Sequence, residues 1–117
     1  SSMIAIIFEV EPTEGQTDPY LDMAVEMRSL VEGVEGFISV ERFQSLTTPG
    51  KLLSLSFWED EAAVERWRNL EGHRRAQKAG RDRMFDDYRL RVVSVIRDYG
   101  KYDRAEAPDD SRVAHGG

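Results

Sequence analysis

The chain has 117 residues, of which 40% are hydrophobic and 32% charged, with a formal net charge of -6 and no cysteine. This length supports one hydrophobic core, and no apolar run approaches the roughly 20 residues that cross a bilayer, so we expect a single soluble domain. The negative charge disfavours nucleic acid and membrane surfaces as partners, and the absence of cysteine excludes disulfides and thiolate metal sites and fits a reducing cytoplasm.

The first predicted elements are a strand and a helix. Residues 3–10 are rich in β-branched and aromatic side chains and are closed by Pro12, which predicts a strand followed by a turn. Asp18 and Pro19 suit the start of a helix, and apolar residues at helical spacing continue it to near Gly33.

A hairpin and a second helical region are predicted next. Residues 37–46 and 51–58 are predicted to be strands because a Thr-Thr-Pro-Gly turn separates them. Acidic residues then precede a helix whose apolar stripe includes Trp67. We expect an interruption near Gly72 and a further helical stretch over residues 73–84.

The folded part is predicted to span residues 3–99. Its last strand covers residues 89–99, where apolar side chains occur at both odd and even positions. Few apolar groups follow, so residues 100–117 are predicted to form a polar, mobile tail. Residues 1–2, both serine ahead of the first methionine, resemble a cloning remnant.

The order of elements predicts an α+β fold of the ferredoxin-like kind, β-α-β-β-α-β with a broken second helix. Both helices then cover the same face of the sheet and leave the other face bare. Several apolar residues are expected on that bare face, and a monomer rarely exposes so large an apolar patch to water. We therefore expect a homodimer in which two sheets pack face to face.

Polar residues recur every four positions in the second helical region, at His73, Gln77 and Arg81. This spacing places them along one stripe of a helix. If the stripe faces the gap between helices and sheet, it supplies a base, an amide and a cation to a pocket wall. Three aromatic residues would form the rest of that wall: Trp67, Phe8 and Phe57.

Each of these residues also has a plainer structural explanation. The polar stripe is typical of a solvated helix face, and an isolated histidine is weak evidence of catalysis. Large aromatic residues such as Trp58 and Trp67 are more often core than ligand platforms. Glu9 has no second carboxylate at a spacing typical of an acid–base pair, and His115 lies in the tail, where we expect no role. The two histidines are far apart, so a histidine-rich metal site is not expected.

Short motifs mark residues 35–81: Glu-Gly-Phe at 35–37, Ser-Phe-Trp-Glu-Asp at 56–60, Ala63, Trp67, and the pairs His73-Arg74, Ala76-Gln77 and Gly80-Arg81. In this combination the chain resembles the antibiotic biosynthesis monooxygenase family. Together with the order of elements, the likeness covers about residues 3–99.

The resemblance implies a dimeric α+β barrel built from two ferredoxin-like protomers, each with a pocket between sheet and helices. Members of the family include oxygenases that oxidise aromatic polyketide or quinol-type substrates without metal or flavin, because the electron-rich substrate anion itself reduces dioxygen. The likeness implies that His73 is the base and Trp67 shapes the apolar pocket. It also implies that Gln77 or Arg81 holds an oxygen substituent of the substrate.

Two alternatives remain open. Another branch of the superfamily degrades haem with a histidine, a tryptophan and a first-strand asparagine, but the only asparagine here is Asn69, and the first strand offers Phe8 and Glu9 instead. Haem binding through His73 therefore stays an alternative, while haem degradation by that triad is not expected. A non-catalytic, stress-related or metabolite-binding dimer is the other alternative.

Overall fold

The structure is a computed structural model that describes residues 3–77 and 84–110, with the backbone alone for residues 71–77. Within these ranges the elements follow in the order β-α-β-β-α-β. Their bounds are β1 (Ile4–Pro12), α1 (Thr17–Val31), β2 (Phe37–Gln44), β3 (Leu52–Trp58), α2 (Glu61–Gln77) and β4 (Phe85–Ser94). The α+β, ferredoxin-like fold predicted from the sequence is confirmed.

The strands form an antiparallel sheet in the order β2-β3-β1-β4. β1 pairs on one side with β3, where Ile4 lies opposite Trp58, and on the other side with β4, where Ile4 lies opposite Ser94. Strand β1 is apolar through Phe8 because it lies between two neighbours and contributes side chains to both faces of the sheet.

The hydrophobic core lies between the sheet and the two helices. Trp58 is its largest member and is only 1% exposed. The rings of Phe37 and Trp67 lie 5.3 and 6.4 Å from the Trp58 ring, and the Trp58 indole nitrogen donates a 2.9 Å hydrogen bond to the Ser56 hydroxyl. The buried residues around it come from β1 and both helices: Ile4, Val31, Ala63 and Val64.

The opposite side of the sheet, which we call the open face, carries a mixture of apolar and charged side chains. The strand register places Glu41, Leu55, Ile7 and Arg91 side by side across the four strands of the sheet. Leu55 and Ile7 are half-buried at the centre of this row, whereas Glu41 and Arg91 are exposed at its two ends. This row of the open face therefore has an apolar centre with one carboxylate and one guanidinium at its ends.

The second helix and the last strand differ from the sequence-based expectation. α2 continues without interruption through Gly72 to Gln77, because one glycine costs only about 1 kcal/mol relative to alanine among strong helix formers. Residues 78–83, where the expected helical stretch continues, lie outside the described residues. β4 begins and ends earlier than predicted because its pairing with β1 starts at Phe85, opposite Pro12.

The segment after β4 is held by several local contacts. The Val95 amide donates to the Met3 carbonyl at 2.9 Å, and the Asp98 amide donates to a Glu106 carboxylate oxygen at 2.7 Å. Ala107 is buried, with 5% exposure. The mobility expected for the tail stays a prediction, and residues 111–117, which include His115, lie outside the described residues.

Gly36 allows the connection before β2 to pass close to α2. Its φ of +92° lies in the left-handed region, and a Cβ built on it would lie 2.6 Å from the Cβ of Ala63. The Gly36 carbonyl also accepts a 2.8 Å hydrogen bond from the amide of Glu59, just before α2. The two segments can therefore approach this closely only because residue 36 has no side chain.

Gly36→Ala is expected to lower the free energy of unfolding by about 2–4 kcal/mol. The cost of a left-handed backbone at alanine is added to the cost of the clash between the new Cβ and Ala63. Gly50→Ala is the matched control, since Gly50 has a φ of +81° with no atom within 4 Å of the added Cβ. The control is expected to lose only about 1–2 kcal/mol. Urea denaturation measures both variants, and equal losses would show that the contact with Ala63 is unimportant.

Candidate functional site

The helix-facing side of the sheet contains a row of residues that changes from polar to apolar. The register places four residues next to one another across β2, β3, β1 and β4: Arg42, Ser54, Phe8 and Leu90. We call these four residues the floor row. Arg42, Ser54 and Phe8 are half-buried, and Leu90 is 52% exposed on the edge strand. The row therefore offers a cation and a hydroxyl at one end and an apolar surface at the other.

An aromatic cluster adjoins the apolar end of the floor row. The Phe8 ring lies 6.0 Å from Phe85 and 5.8 Å from Tyr88, and the Tyr20 ring lies 5.5 Å from Phe85. Tyr20 is 3% exposed, whereas Tyr88 is 61% exposed. The cluster is thus closed toward α1 and accessible along β4, which is the arrangement that an apolar ligand requires.

The structure separates the three aromatic residues that the sequence placed on one pocket wall. Phe8 faces the helices, and Trp67 packs against the core on the same side of the sheet. Phe57 pairs with Ala5 and therefore lies on the open face, because neighbouring residues of a strand point to opposite sides. The prediction that Phe57 shares a pocket wall with Phe8 and Trp67 is therefore wrong. The substrate-binding roles of these residues stay predictions.

The polar stripe falls at the end of α2. His73 and Gln77 belong to the same unbroken helix, about one turn apart, so the backbone keeps the spacing that the sequence predicts. Their side chains lie outside the described part of the structure, and Arg81 lies outside the described residues altogether. The roles of these three residues stay predictions.

Arg42 is a residue that the sequence analysis did not single out. Its Nε atom is buried without a hydrogen-bond acceptor, and among the described residues the side chain has no hydrogen bond or ion pair. The sequence of β2 carries apolar residues at both odd and even positions, and a register irregularity between Phe37 and Ser39 shifts which of them face the helices. Sequence alone therefore gave no sign that Arg42 faces inward.

The open face contains an ion-paired cluster around Glu9. One carboxylate oxygen of Glu9 lies 2.7 Å from Lys51 Nζ, and the other accepts a hydrogen bond from Arg91 at 2.6 Å. Hydrogen bonds from Lys51 and Arg91 lower the pKa of the Glu9 carboxyl, and the Glu9 contact raises the pKa of Lys51. Because Glu9 is satisfied by two cations, this cluster has a structural role and is separate from the floor row.

Lys51→Ala is expected to raise the pKa of Glu9 toward its ordinary value of 4.5, because the largest cause of its lowering is removed. A lowered folded pKa contributes stability above the unfolded pKa, and this contribution is lost as pH falls through the folded value. Carboxyl NMR titration of Glu9 measures the change, with Lys101→Ala in the tail as control. An unchanged Glu9 pKa in Lys51→Ala would contradict the assignment.

Two further properties follow from the residues that the structure describes. No group of three or more histidine or carboxylate side chains within 3–70 and 84–110 is arranged to hold a metal ion. No helix in the described ranges is long and apolar enough to cross a bilayer.

Comparison with known proteins places the fold in a family. The family model for antibiotic biosynthesis monooxygenase matches residues 3–79. The chain belongs to this family. Jasmonate monooxygenase ABM of Pyricularia oryzae is 46% identical over 93 residues, which cover 80% of this chain and 43% of that protein. The chain thus spans less than half the length of that relative. The uncharacterised protein YqjZ of Bacillus subtilis is 31% identical over 93 residues, covering 80% of this chain and 79% of that protein.

Solved structures of low sequence identity support the fold. Rv0793 from Mycobacterium tuberculosis superimposes with a TM-score of 0.72 at 15% identity, covering 85% of this chain and 100% of that one. SnoaB, a cofactor-independent oxygenase from Streptomyces nogalater, gives a TM-score of 0.70 at 9% identity, covering 84% of this chain and 97% of that one. At these identities the likeness concerns the fold alone.

Proposed function

We propose that this member of the antibiotic biosynthesis monooxygenase family is a cofactor-independent monooxygenase for a small, electron-rich aromatic substrate of the quinol or polyketide type. Membership of the family, with a monooxygenase as a 46% identical relative, is the observation that carries the proposal. The aromatic cluster around Phe8 supports it because the accessible Tyr88 side offers an apolar ring surface for an aromatic substrate.

In the proposed reaction, His73 removes a proton from an acidic C–H or O–H group of the substrate. The resulting anion supplies the electrons that reduce dioxygen. For a substrate methylene group, one oxygen atom stays on carbon as a carbonyl and the other leaves with two hydrogens as water. Trp67 and Phe8 provide apolar surface, and Gln77 or Arg81 stabilises the negative oxygen of the substrate.

His73→Ala is expected to lower the rate of oxygen consumption by about 10²–10⁴-fold, because a positioned general base contributes this much. An oxygen electrode measures the rate with hydroquinones, anthrones and jasmonate. Arg68→Ala is the control, since Arg68 is an exposed residue of the same helix and is expected to leave the rate unchanged. Oxygen consumption by the wild type that does not exceed that of His73→Ala would contradict a role for this residue in catalysis.

The same proposal includes a homodimer formed through the open face. Leu55, Ile7 and Phe57 are only half-buried in the single chain, and Phe43 is 43% exposed beside them. A second copy covers this apolar centre if the sheets pack face to face. A two-fold axis parallel to the strands brings Glu41 of one open face over the β4 side of the other, where Arg89 and Arg91 lie.

Leu55→Glu is expected to convert the dimer into a monomer, because it places an unpaired carboxylate in the apolar centre of the interface. Val25→Glu is the matched control, since Val25 is 70% exposed on α1 and lies away from the open face. Sedimentation velocity at micromolar concentration distinguishes the two states. A wild-type protein that is monomeric and folded under these conditions would contradict the dimer.

A further inference from the structure

Among the described residues, Arg42 has no ion-pair partner, and it lies on the side of the sheet that the helices cover. Its residue is half-buried and its Nε is removed from solvent, yet the residues described by the structure provide no acceptor for it. Removing part of a guanidinium from water without a partner costs free energy, so buried charges are normally paired. The contrast with Arg91, which bonds to Glu9, shows that this chain does provide partners for arginine elsewhere.

The neighbours of Arg42 indicate which kind of ligand could supply the hydrogen-bond acceptor that its guanidinium lacks. Ser54 is next to it in the floor row, is half-buried, and has no hydrogen-bond partner for its hydroxyl within the described part of the chain. Phe8 lies two strands from Arg42, at about 10 Å between Cα atoms, and its ring adjoins the accessible Tyr88. A ligand of the size of one or two fused rings spans this distance with one polar end and one apolar end.

We propose that Arg42 and Ser54 bind a carboxylate group of the substrate, whose aromatic or alicyclic body lies over Phe8 and Leu90. A guanidinium matches a carboxylate with two parallel hydrogen bonds, and the serine hydroxyl donates a third. The location on the helix-facing side favours a small molecule over the second protomer, because a face-to-face partner contacts the opposite side of the sheet. The inference rests on the proposed function for the ligand's position and adds the substrate class, a small organic acid.

Binding of 2-naphthoate and of its neutral isostere 2-naphthamide tests the proposal by calorimetry. Wild-type protein is expected to bind naphthoate about tenfold or more tightly, since hydrogen bonds to charged groups have this effect. Arg42→Gln is expected to bind the two probes equally, with its affinity for naphthamide unchanged within about twofold. Arg89→Gln, an exposed arginine on the open face, is the matched control and is expected to keep the preference.

Equal binding of both probes by the wild type, or no binding of either, would overturn the carboxylate site. A preference that survives in Arg42→Gln would do the same. Thermal unfolding separates a structural role from a ligand-binding one: Arg42→Gln is expected to keep or raise the Tm because it removes an unpaired charge, and a Tm several degrees lower would overturn the proposal.

The experiments distinguish failure of the carboxylate site from failure of the oxygenase proposal. A naphthoate preference that depends on Arg42, together with no oxygen consumption for any substrate in the panel, retains the carboxylate site and rejects the monooxygenase. Oxygen consumption that depends on His73, together with equal binding of the two probes, retains the monooxygenase and rejects the carboxylate site.

Discussion

The packing of Trp58 between the sheet and the helices is the contact on which the arrangement of this protein depends. Trp58 ends β3, pairs with Ile4 of β1, and directly precedes the turn that leads into α2. Its indole N–H is satisfied by Ser56, so the ring is buried without an unpaired donor. Trp67 packs against it one and a half turns into α2, which fixes the line along which the helix crosses the sheet.

Covering the sheet on one side only gives its two faces different physical requirements. The helix-facing side carries an aromatic cluster that is closed toward α1 at Tyr20 and accessible along the edge strand β4 at Tyr88. The open face has half-buried apolar residues, and the proposed face-to-face dimer would complete their burial. Phe57 illustrates the division, because its place in the register assigns it to the open face although its neighbours in sequence, Ser56 and Trp58, face the helices.

The charged residues follow the same division. On the open face, Glu9 lies between Lys51 and Arg91, and the cluster satisfies itself within one chain. On the helix-facing side, Arg42 has no such carboxylate among the described residues, although acidic residues outnumber basic ones in the chain. A half-buried cation without an acceptor among the described residues contrasts with the net charge of -6. The proposed carboxylate site rests on this contrast, because a cation at this place would attract an anion to a net-negative protein.

The sequence by itself determined the order of elements, the fold class and the family, because apolar periodicity, turn residues and short motifs are local features. It also determined that His73 and Gln77 share a helical stripe. Only the structure decided that α2 passes through Gly72 without a break, since one glycine among strong helix formers costs only about 1 kcal/mol. It alone separated Phe57 from Phe8 and turned Arg42 inward, because pairing register and the irregularity in β2 assign the faces. The face that each of these residues occupies depends on pairing between strands that are distant in sequence. Local sequence patterns do not predict that pairing.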